Sequence, residues 1–242
     1  MHKQNGISII EMMVALVISS ILTIGITQVY VKNRENVLFQ QSQGQNIENA
    51  RFSILLLEQT LAKAGYRRTP DQTMETAFPK KPIDGCGVME AGQVTKRLSD
   101  TAFCIRYQPA FPDARDCAGN NIDDIPDKAY VSAEPVSEKF ELTNGELTCN
   151  GVEIATGITD LKFVYGVNGN EEKLISRYAS IPSADDNIRA VKLSILTASA
   201  NNITQDAESK AYELWFNKVP EDDDKRLYTM LSSSTSMRNL LP

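Results

Sequence analysis

The side chains that could do chemistry in this 242-residue chain are mainly carboxylates. The only histidine is His2, which leaves almost no scope for imidazole catalysis or for ordinary histidine-containing zinc sites. Acidic clusters at residues 123–127, 185–186 and 221–224 could supply oxygen ligands to calcium, but none follows the EF-hand pattern, and solvated loop charges are the favoured interpretation. No pairing of a nucleophile with a base is recognisable. We therefore predict no catalytic residue, no metal site and no cofactor, and expect a protein that is not an enzyme.

One further carboxylate stands in an unusual place. Glu11 is the only charged residue in the apolar run 7–31, which as a helix would extend about 37 Å and could cross a bilayer. An ionisable group inside such a span costs about 2.5–3.5 kcal/mol near the bilayer centre and tends to mark function. A carboxylate that snorkels to the interface is the alternative. The run is too long for a secretory signal, and no small-residue cleavage site follows it.

The charge balance argues against nucleic acid as a partner. Lysine and arginine number 25 against 31 acidic residues, which gives a formal net charge of −6. Affinity for a phosphate backbone comes largely from clustered basic residues, and no basic run here is longer than two. The pairs Arg67-Arg68 and Lys80-Lys81 are expected to be solvated.

A single long helix should carry the apolar run into the rest of the chain. No proline occurs between residues 7 and 68, and apolar residues recur at steps of three and four beyond the membrane span. Gly65 is a predicted C-cap and Pro70 prevents the helix from resuming, so the helix is predicted over residues 7–64. Its apolar stripe is expected to pack on a sheet; it comprises Ile47, Ala50, Ile54, Leu57, Leu61 and Ala64.

After about residue 70 the apolar period changes to two, which indicates strands with one buried face. The signals Asn144-Gly145 and Asn168-Gly169 predict hairpin turns. The fold class is therefore α+β, with a long N-terminal helix packed against an antiparallel sheet. The alternating sets are Phe140 and Leu142; Leu161, Phe163, Tyr165 and Val167; Val191, Leu193 and Ile195; Tyr212, Leu214 and Phe216; and a weaker set over residues 227–237.

The N-terminal residues 6–16 read GISIIEMMVAL. This segment resembles the class III signal of type IV pilins and type II secretion pseudopilins. The resemblance implies that prepilin peptidase cuts between Gly6 and Ile7, that Ile7 becomes an N-methylated terminus, and that Glu11 pairs with the terminal amine of a neighbouring subunit. The sequence departs from the commonest pattern, because Ile7 stands where Phe is usual and Lys3 is the only basic residue of the leader.

Four later segments are similar to the PilW minor pilins within this superfamily. They read LAKAGYRR at 61–68, DCAGN at 116–120, GITDLKFVYG at 157–166 and SMRN at 236–239. The resemblance implies a type IV pilin-like fold with four parts. These are a leader (1–6), a transmembrane and assembly half of the helix (7–31), an amphipathic outer half (32–65) and an extracytoplasmic β-rich head (66–242).

The same resemblance implies a structural function. The expected role is a minor pilin in pilus initiation or at the tip. It is held in the bacterial inner membrane as a single-pass protein with its head in the periplasm, and after assembly it is found in the pilus at the cell surface. The implied partners are other minor pilins, the major pilin, the assembly platform, prepilin peptidase and a tip adhesin. Two alternatives stay open: a type II secretion pseudopilin of the GspJ kind, and a membrane-anchored envelope enzyme or ligand-binding protein.

The cysteines all lie in the expected extracytoplasmic head, where thiols meet an oxidising compartment. They are Cys86, Cys104, Cys117 and Cys149. Two disulfides are predicted, and four cysteines allow three connectivities. The pairs Cys86–Cys104 and Cys117–Cys149 are favoured because they close two consecutive loops without entangling them. A zinc site of four thiolates is the competing interpretation, but no Cys-x-x-Cys pair exists.

Overall fold

The computed structural model describes residues 8–169, 174–183, 186–204, 209–221 and 223–240. Its first element is one long helix, α1 (Ile9–Lys63). The helix ends where the sequence predicts, because Gly65 adopts a left-handed backbone with φ +72° that a helix cannot continue. Helix α1 thus spans nearly all of the predicted range; Ile7 lies outside the described residues.

Short strands and two small helices follow α1 and form the head. In chain order they are α2 (Met74–Ala77), β1 (Lys81–Ile83), β2 (Gly87–Met89), β3 (Thr95–Arg97), β4 (Ala102–Tyr107), β5 (Val136–Thr143), β6 (Glu146–Cys149), β7 (Val152–Ala155), β8 (Ile158–Asn168), β9 (Arg177–Ala179), β10 (Asn187–Asn202), α3 (Lys210–Phe216), β11 (Arg226–Ser236) and a 3-10 turn (Arg238–Leu240). They form a four-stranded sheet in the order β11-β10-β8-β9, a five-stranded sheet in the order β3-β4-β5-β6-β7, and a β1-β2 hairpin. All pairings are antiparallel. The α+β prediction is confirmed.

The outer half of α1 packs on strands β10 and β11 of the four-stranded sheet. Ala50, Leu57 and Leu61 of the predicted apolar stripe are fully buried there. Between them lies a second, polar row that the stripe does not contain, because Asn46, Ser53 and Thr60 are also buried, at intervals of seven residues. Seven residues are close to two helical turns, so this row faces the sheet as well.

The core joins the two large sheets through aromatic rings. The Phe103 ring of β4 stacks on Phe140 of β5 with 5.3 Å between centroids, and it meets Phe163 of β8 edge-on at 4.7 Å. Both arrangements are favourable for aromatic quadrupoles. The alternating sets that predicted strands at Phe140 and at Phe163 therefore bury their apolar faces as expected.

Two secondary-structure features differ from the sequence prediction. The set Tyr212, Leu214 and Phe216 forms helix α3 and not a strand, since Ser209 caps it by accepting from the Tyr212 N–H at 3.2 Å. Three residues at alternating positions do not distinguish the two structures. In a helix the first and last share a face, and the middle one points away, which explains why Leu214 is 78% exposed.

The second difference is the length of a hairpin connection, since β8 and β9 do pair antiparallel after Asn168-Gly169 but not through a two-residue turn. Asn144-Gly145 makes the predicted tight hairpin between β5 and β6, with φ +53° and +82°. Asn168, in contrast, is the last residue of β8, and the next strand, β9, begins only at Arg177. The side-chain amide of Asn168 donates to the Leu174 carbonyl at 3.0 Å, so it holds a longer connection.

Candidate functional site

The first part of α1 extends away from the head without contacts that bury it. Every residue from 9 to 41 is exposed, a length of about 50 Å. Its large apolar side chains reach 81% exposure at Ile9. An 18-residue window of α1 has a mean hydropathy of 2.4. By length and composition, the helix is long and apolar enough to cross a membrane. We call residues 9–31 the protruding half of α1.

The serine and threonine hydroxyls of the protruding half form hydrogen bonds within the helix. The hydroxyls of Ser20, Thr23 and Thr27 each donate to the carbonyl four residues earlier, at 2.7–2.8 Å. Ser19 donates to the Leu16 carbonyl at 3.0 Å. Hydroxyls bonded in this way need no water, which fits a helix that lies in hydrocarbon.

Glu11 lies in the first turn of α1, where the helix dipole favours a negative charge. Its Oε2 accepts a hydrogen bond from the backbone N–H of Ser8 at 3.0 Å. The predicted processing residues Gly6 and Ile7 lie outside the described residues. The carboxylate thus lies within one turn of the first described residue, and its hydrogen bond with Ser8 is local to the helix start.

The opposite end of α1 is fixed to the head through the buried carboxylate of Glu138. Its Oε1 accepts from the Tyr107 hydroxyl at 2.6 Å and from the Cys117 N–H at 2.9 Å, and it lies 3.5 Å from Lys63 Nζ. Burial, with the nearby Glu138 charge and hydrogen bond, raises the pKa of Tyr107 well above its ordinary value, so the phenol is held protonated. Helix, sheet and loop therefore meet at one group.

The C-terminal segment closes the same end of the helix. The side-chain amide of Asn239 donates to the carbonyls of Ala62 and Ala64 at 3.0 and 3.1 Å. Carbonyls in the last turn of a helix have no partner within the helix, so Asn239 serves as a distant cap. Met237, two residues earlier, is fully buried.

Two buried arginines organise the loops around this junction. Arg106 is only 2% exposed and donates to the carbonyls of Pro79 and Glu90 at 2.8 and 2.7 Å, and also to that of Gln93. Burial lowers its pKa. Arg68 is 6% exposed and donates to carbonyls of Pro109, Ala110, Pro126, Lys128 and Val131. The prediction that Arg68 is solvated is therefore wrong.

The cysteines are joined as Cys86–Cys104 and Cys117–Cys149, each with Cα atoms 6.0 Å apart. This is the connectivity that the sequence analysis favours, and it leaves no free thiol for a zinc site. Cys86 and Cys104 form a small cluster with Met89, whereas Cys149 belongs to the main core. The second disulfide also fixes the position of Cys117, whose backbone N–H donates to Glu138.

The acidic clusters stay apart from one another. Across the residues that the structure describes, no group of three or more His, Cys, Asp or Glu side chains could hold a metal ion. Asp185 and Asp222 lie outside the described residues. Asp224 is engaged by Arg226, whose Nε and Nη2 lie 2.8 and 2.7 Å from the two carboxylate oxygens.

The buried polar anchors do not stand out in the sequence, although three of the four segments resembling PilW contribute to them. Lys63 and Arg68 lie in the first, Cys117 in the second and Asn239 in the fourth, and these segments meet at the end of α1. The third segment forms most of β8. Similarity confined to separate short segments is the signal that could have pointed to this shared junction.

Comparisons with known proteins give matches in sequence and in structure. The family described as Type IV Pilus-assembly protein W matches residues 126–239, and the prokaryotic N-terminal methylation motif matches residues 1–27. No curated protein matches the chain in sequence. Among solved structures, a type IV-like pilin from Thermus thermophilus has 11% identity over 81% of this chain and 97% of its own, with a TM-score of 0.47. Because the sequence matches include both the N-terminal signal and most of the head, they support a minor pilin similar to the type IV pilus-assembly protein W family.

Proposed function

We propose that this minor pilin is stored in the bacterial inner membrane as a single-pass protein with a periplasmic head and is then transferred into a pilus. In this proposal residues 1–6 are the leader, 7–31 span the membrane, 32–65 form the outer half of the helix, and 66–242 form the head. Prepilin peptidase removes the leader between Gly6 and Ile7, and Ile7 is N-methylated. The role is structural and involves no catalysis.

The observation that carries the proposal is the exposure of the protruding half of α1. Apolar side chains on all sides of residues 9–31 have no partner among the described residues. A helix that is hydrophobic all round is stable only in a membrane or within a protein core. Such a helix leaves lipid at little net cost only if neighbouring pilin helices replace the lipid. The protein should therefore act only together with other pilins.

Glu11 would direct that exchange. An α-amino group is cationic at neutral pH, and in hydrocarbon a lone charge gains far more from an opposite charge than it would in water. The carboxylate in the first turn would bind the terminal amine of a neighbouring subunit in exchange for its local hydrogen bond with Ser8. The disulfides Cys86–Cys104 and Cys117–Cys149 would keep the head folded outside the cytoplasm.

The test of this role compares Glu11→Ala with Glu35→Ala, a matched change on the same helix outside the proposed membrane span. Glu11→Ala should reach the membrane at the wild-type level but be lost from sheared pili, whereas Glu35→Ala should enter both fractions. Normal incorporation of Glu11→Ala would refute the role of the carboxylate. Mass spectrometry of the mature chain should find a methylated Ile7 as its first residue, and retention of residues 1–6 would contradict the processing step.

The finer role is initiation of pilus growth at the tip. The proposed partners are other minor pilins, the major pilin, the inner-membrane assembly platform and a tip adhesin. A component of an initiating complex should set the number of pili more than their length. Deletion of the gene should therefore reduce the number of pili per cell, and unchanged numbers would contradict this role.

A further inference from the structure

Strand β11 forms an edge of the four-stranded sheet. It pairs with β10 on one side, and no strand in the described part of the chain pairs with its other side. Helix α1 lies against the sheet beside it, where the Ser233 hydroxyl contacts Glu58. Helix α3 covers only the beginning of the strand, by stacking Tyr212 on Tyr228 at 5.4 Å. We call residues 230–236 the open edge.

The direction of the backbone groups along the open edge follows from two hydrogen bonds. The Leu227 N–H donates to Ser199 Oγ at 2.8 Å, and the Met237 N–H donates to the Arg189 carbonyl at 2.9 Å, so odd-numbered residues face β10. The register between β10 and β11 has no shift from Tyr228 to Ser236. Successive residues of a strand point their N–H and C=O groups to opposite sides. Residues 230, 232, 234 and 236 therefore direct these groups away from the sheet.

The other edges of the two large sheets differ from this one. Strands β3, β7 and β9 are three or four residues long, and they carry Lys96, Glu153 and Arg177 respectively. Strand β11 is 11 residues long, and residues 227–236 include neither a charged residue nor a proline. Short length and charge are the usual protections of a sheet edge, because an open edge is a template for pairing with another chain. The open edge of β11 has neither protection.

We infer that the open edge of β11 pairs with an extended strand from the head of a neighbouring pilin. This inference rests on the proposed function. A row of unpaired backbone donors and acceptors is completed by another extended backbone, which makes β-augmentation the fitting mode. The neighbour is a pilin because β11 adjoins α1, whose exposed side is the surface that other pilins must cover. Pairing would satisfy the outward groups of Met230, Ser232, Ser234 and Ser236.

A proline substitution tests the edge without disturbing the sheet. Ser234→Pro removes an outward N–H and no hydrogen bond with β10, a position at which edge strands tolerate proline. Ser234→Ala is the matched control, because it keeps the N–H. With the full-length chain, both variants should reach the membrane and unfold at the wild-type temperature, but only Ser234→Pro should be depleted from sheared pili. Equal incorporation of both variants would overturn the inference.

Hydrogen exchange on the wild-type protein gives an independent answer if the proline variant fails to fold. The amides of residues 230, 232, 234 and 236 should exchange about tenfold or more slowly in pili than in the detergent-solubilised protein, because they become hydrogen-bonded. Unchanged exchange at these amides in pili would overturn the inference whatever the variants do. Absence of the wild-type chain from pili would instead overturn the proposed function.

Discussion

The two halves of α1 belong to one continuous helix but differ in what the chain supplies around them. The protruding half leaves its apolar side chains exposed, with Ile26 at 70%, whereas the outer half buries Leu57 and Leu61 completely against the sheet. The outer half also ends at hydrogen bonds from Asn239 and at the buried Glu138. The outer half is therefore covered by this chain's own sheet, whereas none of the described residues covers the protruding half.

The largest expected effect comes from truncating the same residue type in each half. Leu61→Ala should cost about 2–5 kcal/mol of unfolding free energy, because it leaves a cavity in a closed core. Leu22→Ala should leave head stability unchanged within about 0.5 kcal/mol, since Leu22 is 59% exposed. Denaturant titration of the full chain in mild detergent, followed by near-ultraviolet circular dichroism, measures both. Similar losses would mean that the two halves are not independent.

The buried arginines extend the contrast to polar groups. Arg106→Met should cost about 2–4 kcal/mol, since it leaves several buried carbonyls without a donor. Arg115→Met is the matched control, because Arg115 is exposed and should tolerate the change. The same titration gives both values. If Arg106→Met unfolds at the wild-type denaturant concentration, the guanidinium does not hold the loops.

A smaller effect is expected at the distant cap. Asn239→Ala removes the donor to the Ala62 and Ala64 carbonyls and should cost about 0.5–1.5 kcal/mol. Hydrogen exchange of the last turn of α1 should accelerate, while the protruding half should be unaffected. Ser236→Ala, at an exposed neighbouring position, serves as the control. Acceleration along the whole helix would show that its halves are coupled.

The smallest effect is a pH dependence far from α1. Hydrogen bonds from Arg226, with one from Tyr228, hold the pKa of Asp224 well below its ordinary value. Burial and the Asp224 hydrogen bond raise the pKa of Tyr228 to about 12. A depressed acid pKa stabilises the fold above pH about 4 and loses this contribution as the pH falls. The stability difference between wild type and Asp224→Asn, at most about 1 kcal/mol at neutral pH, should therefore shrink below pH about 4.

Denaturant midpoints at neutral and acid pH check that sign. The midpoint of the wild type should exceed that of Asp224→Asn at neutral pH, and the gap between the two midpoints should narrow at acid pH. A difference that widens instead would show that the Arg226 contact does not stabilise the folded carboxylate.

Much of the fold follows from local pattern. The absence of proline and the apolar periodicity predict α1, and alternation predicts β5, β8, β10 and β11. Contacts between residues far apart in the sequence are harder to predict. Asn239, for example, caps the carbonyl of a residue 177 positions earlier. Asn46, Ser53, Thr60 and Arg68 are polar types that are normally expected at the surface. Apolar periodicity does not reveal their burial, because partners such as the Leu227 carbonyl that accepts from Asn46, and the loop carbonyls that accept from Arg68, come from distant segments.

The residues proposed to act in assembly also differ in how well the sequence predicts them. Glu11 stands out in the sequence because its charge interrupts an apolar run, and its position in the first turn follows from the predicted helix. The open edge of β11 could not be predicted, because a weak alternating pattern over residues 227–237 does not say whether the strand lies at the centre or at the edge of a sheet. Sheet order depends on pairings between distant segments.

The central claim is that the protruding half of α1 lies in lipid before assembly and against other pilin helices afterwards. A photoreactive residue in place of Ile18, which is 54% exposed, tests it most directly. Irradiation of membranes should give lipid adducts, and irradiation of sheared pili should give crosslinks to other pilins. Lipid adducts in both fractions, or the absence of pilin crosslinks in pili that contain the chain, would contradict the claim.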